Sequence, residues 1–108
     1  MNQFINTLDV DAVYTISDIK DKVVPILKNN GVKKAVLFGS YAKREADTKS
    51  DVDILVDSGL SGLALIGLCN DIQVTLRKEI DLFDVYEIDK GSSIDAEIQK
   101  TGVVIYEE

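Results

Sequence analysis

An α/β fold, with a mixed sheet of three to four strands and helices mainly on one face, is what this sequence predicts. Three observations lead there. Residues 33–38 and 51–56 are apolar runs of strand length, and the second alternates acidic and aliphatic positions at its start. Residues 18–30 and 63–78 place apolar side chains three and four apart, the helical period. Strand-like and helix-like runs therefore interleave along the chain, as in layered α/β architectures.

Each element has its own local reasons. Residues 1–13 show no firm period and are expected to be loose or docked on a partner. Residues 14–16 are expected to form a short extended piece. In the helix at 18–30, Ser17 is the expected N-cap, Asp18 and Asp21 sit near the positive end, and Gly31 stops the helix. Ile19, Val23, Ile26 and Leu27 form its apolar stripe, and Pro25 should kink it or loosen one turn. The strand at 33–38 runs into Gly39-Ser40, then a short polar helix at 41–46, a loop at 47–50 and the strand at 51–56.

Residues 57–62 are a turn-rich connection whose glycines match neither G-x-G-x-x-G nor a Walker A pattern. The helix at 63–78 turns Leu65, Leu68, Cys69, Ile72 and Leu76 to one face. A third strand covers 79–86 and contains Asp81 and Asp84, which have opposite parity and so face opposite sides. A short helix at 93–100, capped by Ser92 or Ser93 and anchored by Ile94 and Ile98, ends at Gly102. A last strand at 103–106 follows.

Composition narrows the chemistry. A chain of 108 residues is expected to make one domain, 1–108. Its net charge of −7 argues against direct nucleic-acid binding, which rests on neutralising phosphates. It contains no histidine, which excludes Ser-His and Cys-His nucleophilic sites and histidine metal sites. The single cysteine, Cys69, is expected to be a small buried apolar residue. No run approaches the ~18 apolar residues of a membrane span. The N-terminus lacks the basic-then-apolar pattern of a signal peptide, so a cytoplasmic location is expected. Any chemistry must rest on carboxylates and a metal.

Residues 39–57 offer both. Asp51 and Asp53 alternate with Val52 and Ile54, so the two acids share one strand face while the aliphatics enter a core. Two adjacent carboxylates repel, and each is costly to desolvate. A hard divalent cation such as Mg²⁺ relieves both costs and accepts substrate phosphates as further ligands. Gly39 lets backbone approach a ligand closely, and Ser40 begins a helix whose free N–H groups favour a phosphate. The competing reading makes Asp51 a loop cap and Asp53 a solvated strand residue.

Gly39-Ser40-Tyr41-Ala42-Lys43, followed by Ser50-Asp51-Val52-Asp53-Ile54-Leu55-Val56, closely resembles the two-part signature of the DNA polymerase β-like nucleotidyltransferases. With no further segment in 108 residues, the chain is most similar to the minimal nucleotidyltransferase (MNT) family, and the resemblance spans about residues 14–106. Two positions depart from the pattern. Lys43 stands where the family usually has Arg, which loses the bidentate fork. Arg44 stands where it usually has Gly, which stiffens a turn.

The resemblance implies nucleotidyl transfer from a nucleoside triphosphate, with ATP the expected substrate, assisted by two Mg²⁺ ions. It implies Asp51 and Asp53 as metal ligands and Asp81, rather than Asp84, as the third carboxylate. It places Gly39, Ser40, Lys43, Arg44 and Ser50 around the nucleotide phosphates. It also implies a partner, since MNT proteins pair as antitoxins with helical HEPN toxins and can adenylylate them. A contact-only antitoxin with a weak site and a stand-alone transferase acting on a small molecule are the alternatives.

Overall fold

The computed structural model describes residues 13–108. The expectation for residues 1–13 falls almost wholly outside that range.

α1 (Ile16–Asn29) begins earlier than the sequence implied. Thr15, not Ser17, is its N-cap. The Thr15 hydroxyl accepts from the Asp18 N–H at 3.0 Å, and the Asp18 carboxylate accepts from the Thr15 N–H at 3.1 Å. This reciprocal capping box satisfies two otherwise orphaned donors, which a Ser17 cap could not do with Asp18 as its neighbour. Residues 14–16 accordingly form no separate extended piece; Tyr14 lies just ahead of the cap and its hydroxyl donates to the Leu76 carbonyl at 2.6 Å. The helix continues through Pro25, which lies on the exposed side, where water can take the carbonyl that proline leaves unpaired.

Among the described residues, four strands make one mixed sheet: β1 (Lys34–Phe38), β2 (Val52–Asp57), β3 (Ile80–Asp84) and β4 (Val103–Glu107). Their order is β3-β2-β1-β4. β1 pairs antiparallel with β2 and β4, whereas β2 and β3 run parallel. Parallel neighbours need a long crossover, and α2 (Gly62–Leu76) supplies it. β3 is shorter than the sequence implied, because Asp84 caps a 3₁₀ turn over Val85–Glu87.

Ile19, Val23 and Leu27 of α1 and Leu68, Ile72 and Leu76 of α2 are buried against Ala35, Leu37, Val52, Ile54 and Val56. Fully burying a side chain of this size contributes about 1.5–3 kcal/mol. These strand residues have one parity, so the residues between them, including Val36, Phe38 and Asp53, face the other side of the sheet. α3 (Ser93–Thr101), capped by Ser92, packs against β1. A Cβ added at Gly102, just after it, would meet Val36 Cγ1 at 3.0 Å, which places the end of α3 on the acid-bearing face.

The expected helix at 41–46 does not form. Residues 40–44 are turns, closed by Lys43 N–H to Gly39 O (3.0 Å), Arg44 N–H to Tyr41 O (3.2 Å) and Glu45 N–H to Ser40 O (2.9 Å). The cause is Arg44, whose φ of 62° lies in the left-handed region and ends any helical continuation. Tyr41 adds to it by turning into the core, where it is buried.

Candidate active site

Register brings the acids together. In the parallel β2–β3 pair Asp53 lies directly beside Asp81, and in the antiparallel β1–β2 pair it lies across from Phe38. Asp51, two residues back on the same parity, is exposed just before β2. Asp53 is half-buried and Asp81 exposed. Burial, then the adjacent Asp81 charge, push the Asp53 carboxyl up to about 7, with Asp51 and Glu97 adding to the effect. The two carboxylates lie side by side across the β2–β3 pair, and two such groups cannot both ionise cheaply.

Gly39 makes this packing possible. Its φ is +75°, and a Cβ there would overlap Asp53 Oδ2. No other residue type fits this contact without moving the acid. The Gly39 N–H is engaged, since it donates to Thr101 Oγ1 at 2.9 Å. The N–H groups of Ser40, Tyr41 and Ala42 have no partner among the described residues. The turn therefore leaves consecutive donors beside the acids, while the Gly39 N–H, the first in sequence, is used internally.

The remaining predicted residues divide. Lys43 reaches Glu45 at 3.7 Å and Glu97 at 4.0 Å, at the same end of the sheet. Arg44 is exposed in its left-handed turn. The Ser50 hydroxyl is held in its own loop, accepting from the Asp47 N–H at 2.9 Å and donating to Asp47 Oδ1 at 3.3 Å. Asp84, the competitor of Asp81, is buried on the opposite face. It accepts from the Ser58 hydroxyl at 2.5 Å, the Ser58 N–H at 3.3 Å and the Tyr86 N–H at 3.2 Å. It is a structural cap. Cys69, expected to be buried, is only half-buried, and burial pushes its thiol up, away from reactivity.

Three residues that sequence reasoning passed over shape the site. Thr101 holds Gly39, Glu97 stands near Asp53 and Lys43, and buried Lys78 donates to the Thr48 carbonyl at 3.4 Å, fastening the loop that leads into Asp51. None carries a local signal; all act across long sequence separations.

The donor set suits Mg²⁺: carboxylate oxygens only, with one carboxyl made uncomfortable by its neighbours. Among the described residues, no group of three or more Cys, Asp or Glu side chains is arranged to hold a metal ion. An open arrangement fits an ion that keeps waters and draws ligands from substrate phosphates.

Residues 21–108 match the family model for polymerase beta, nucleotidyltransferase. The chain belongs to that family. Its domain is a nucleotidyltransferase, and its place among enzymes follows from the same match. Two similar proteins come from Methanocaldococcus jannaschii. One, "Putative protein adenylyltransferase MJ0435", is 46% identical over 69 residues, covering 62% of this chain and 74% of that protein. The other, MJ1217, carries the same designation and is 42% identical over 74 residues, covering 63% and 76%.

Solved structures share the nucleotidyltransferase fold. A toxin–antitoxin crystallised with AMP-PNP matches with a TM-score of 0.68 at 23% identity, over 82% of this chain and 73% of that one. The tri-AMPylated Shewanella oneidensis HEPN toxin in complex with MNT antitoxin matches with a TM-score of 0.64 at 21% identity, over 87% and 74%. At such identities the likeness is one of fold. Among the described residues no helix is long and apolar enough to cross a membrane.

Proposed function

We propose that this nucleotidyltransferase transfers AMP from ATP to a hydroxyl on a helical, HEPN-type partner protein and acts as that partner's antitoxin. The observation that carries the reading is the register of Asp53 against Asp81, with Asp51 on the same face and the Gly39 turn packed on Asp53. The names of the similar proteins and the AMPylated toxin complex support adenylyl transfer and the partner class.

Asp51, Asp53 and Asp81 would hold Mg²⁺, which would supply the positive charge that a chain of net charge −7 lacks. Asp53, whose carboxyl is pushed up by burial and by the adjacent Asp81, would give up its proton on taking the cation. Asp81, the exposed member, faces the acceptor and takes up its hydroxyl proton as the oxygen–Pα bond forms. The bond from Pα to the bridging oxygen breaks, and pyrophosphate leaves. Ser40 and the N–H groups of residues 40–42 hold the departing β- and γ-phosphates, and Lys43 offsets their charge once it swings from Glu97. Positioning and electrostatics provide the acceleration, without a covalent enzyme intermediate.

The test is to incubate the protein with Mg²⁺, ATP and the helical protein encoded beside it, and to weigh both intact chains. The partner should gain one or more AMP units, and Asp51→Ala or Asp53→Ala should abolish the gain. A tight complex with no mass change, unaffected by either substitution, would leave a contact-only antitoxin.

A further inference from the structure

The last turn of α3 holds the phosphate-facing turn at two points. Thr101 Oγ1 accepts from the Gly39 N–H at 2.9 Å and donates to the Glu97 carbonyl at 2.8 Å, so its hydroxyl is fixed in direction. The Glu97 carboxylate in turn lies 4.0 Å from Lys43 Nζ. The Thr101–Gly39 bond spans 62 positions and is formed by side chain to backbone, outside any strand ladder.

From this we infer that Thr101 is a positioning residue for the triphosphate tail. The inference rests on the nucleotidyl-transfer reading above. Gly39 has φ +75°, and a Cβ there would overlap Asp53 Oδ2, so the turn's conformation and the position of the acid are tied together. A free glycine explores many conformations. The Thr101 hydroxyl removes that freedom by giving the glycine's N–H an acceptor. It touches neither metal ligand nor phosphate; it acts through the turn. On the proposed reading, in which the turn holds the departing phosphates, the ligand it serves is the β,γ-diphosphate portion of a nucleotide.

The test compares wild type, Thr101→Val and Thr101→Ser in binding non-transferable α,β-methylene ATP and AMP, each with Mg²⁺. Thr101→Val keeps the shape and removes the acceptor; Thr101→Ser restores it. Loss of one neutral hydrogen bond corresponds to roughly fivefold. Thr101→Val should weaken the triphosphate by about that factor and leave AMP unchanged, with Thr101→Ser within about twofold of wild type. The Gly39 amide should exchange with solvent faster in Thr101→Val alone. Equal triphosphate binding by Thr101→Val and wild type would overturn the positioning role, as would parallel losses for triphosphate and AMP, or failure of Thr101→Ser to rescue. Wild type that binds neither nucleotide would overturn the transferase reading itself, and the positioning role with it.

Discussion

Asp81 and Asp84 stand three residues apart on one strand and lead opposite lives. Asp84 is 2% exposed and surrounded by donors: a hydroxyl and two backbone N–H groups. Its own N–H is met by Glu87 at 2.8 Å. Asp81 lies on the other face beside half-buried Asp53, with Asp51 and Glu97 close enough to add to the repulsion. One group of acids is satisfied by the protein. The other is half-buried or exposed among like charges. Burial of a charge identifies structure when donors surround it, and identifies function when only like charges do.

Asp53→Asn separates the two cases most sharply. Transfer should fall by about 10²–10³-fold or more, as when a transition-state charge clamp is lost. The metal-free protein should nevertheless melt no lower than wild type, because a repelled carboxylate has been replaced by a neutral amide. Thermal melts beside the mass assay check both halves.

Asp84→Ala should do the reverse. It strands the Ser58 hydroxyl and two N–H groups in a buried place, at a cost of about 2–4 kcal/mol. Chemical denaturation measures it. Protein that remains folded should keep its transferase rate. A catalytic defect in folded Asp84→Ala with unchanged stability would erase the contrast between the two faces.

The pH dependence of stability follows from Asp53. Its folded value of about 7 lies above the ordinary 3.8, so between these limits the folded state binds more protons than the unfolded state. Its contribution therefore declines as pH rises from about 4 to 7 and is flat beyond. Half exposure lets solvent screen the effect, so the direction is what matters. The melting temperature of Asp53→Asn relative to metal-free wild type should climb between pH 5 and pH 8. A constant difference would contradict the strained dyad.

The smallest effect concerns Arg44. Gly tolerates φ of 62° and Arg resists it, but Gly also gains entropy in the unfolded chain. Arg44→Gly should stabilise by about 0.5 kcal/mol, read by denaturant midpoint, with little change in transfer rate.

These contrasts also explain what the sequence disclosed. Alternation was enough to put Asp51 with Asp53 in β2 and to set Asp81 opposite Asp84 in β3, because strand parity is a local rule; that Asp81 joins Asp53 came from the resemblance, and the β2–β3 register pairs the two. The sheet elements followed from short apolar runs. By sequence Thr15 belongs to an extended piece and Ser17 is the cap, whereas the reciprocal pairing of Thr15 with Asp18 makes Thr15 the cap. The helix at 41–46 failed because good helix formers were outvoted by a left-handed Arg44 and a buried Tyr41. Ser50 is held by Asp47, a neighbour that a motif does not weigh. Thr101 and Glu97 meet the site only through the fold, and no window of sequence contains both ends of those contacts.

The most direct test is a thermal-shift titration at pH 7.5 with Mg²⁺ and α,β-methylene ATP, comparing wild type with Asp53→Asn. Wild type should gain several degrees as the repelling acids find their cation, and Asp53→Asn should gain little or nothing. An equal rise in both proteins would show that Asp53 and its neighbours are not the metal site, and the contrast between the two faces would lose its meaning.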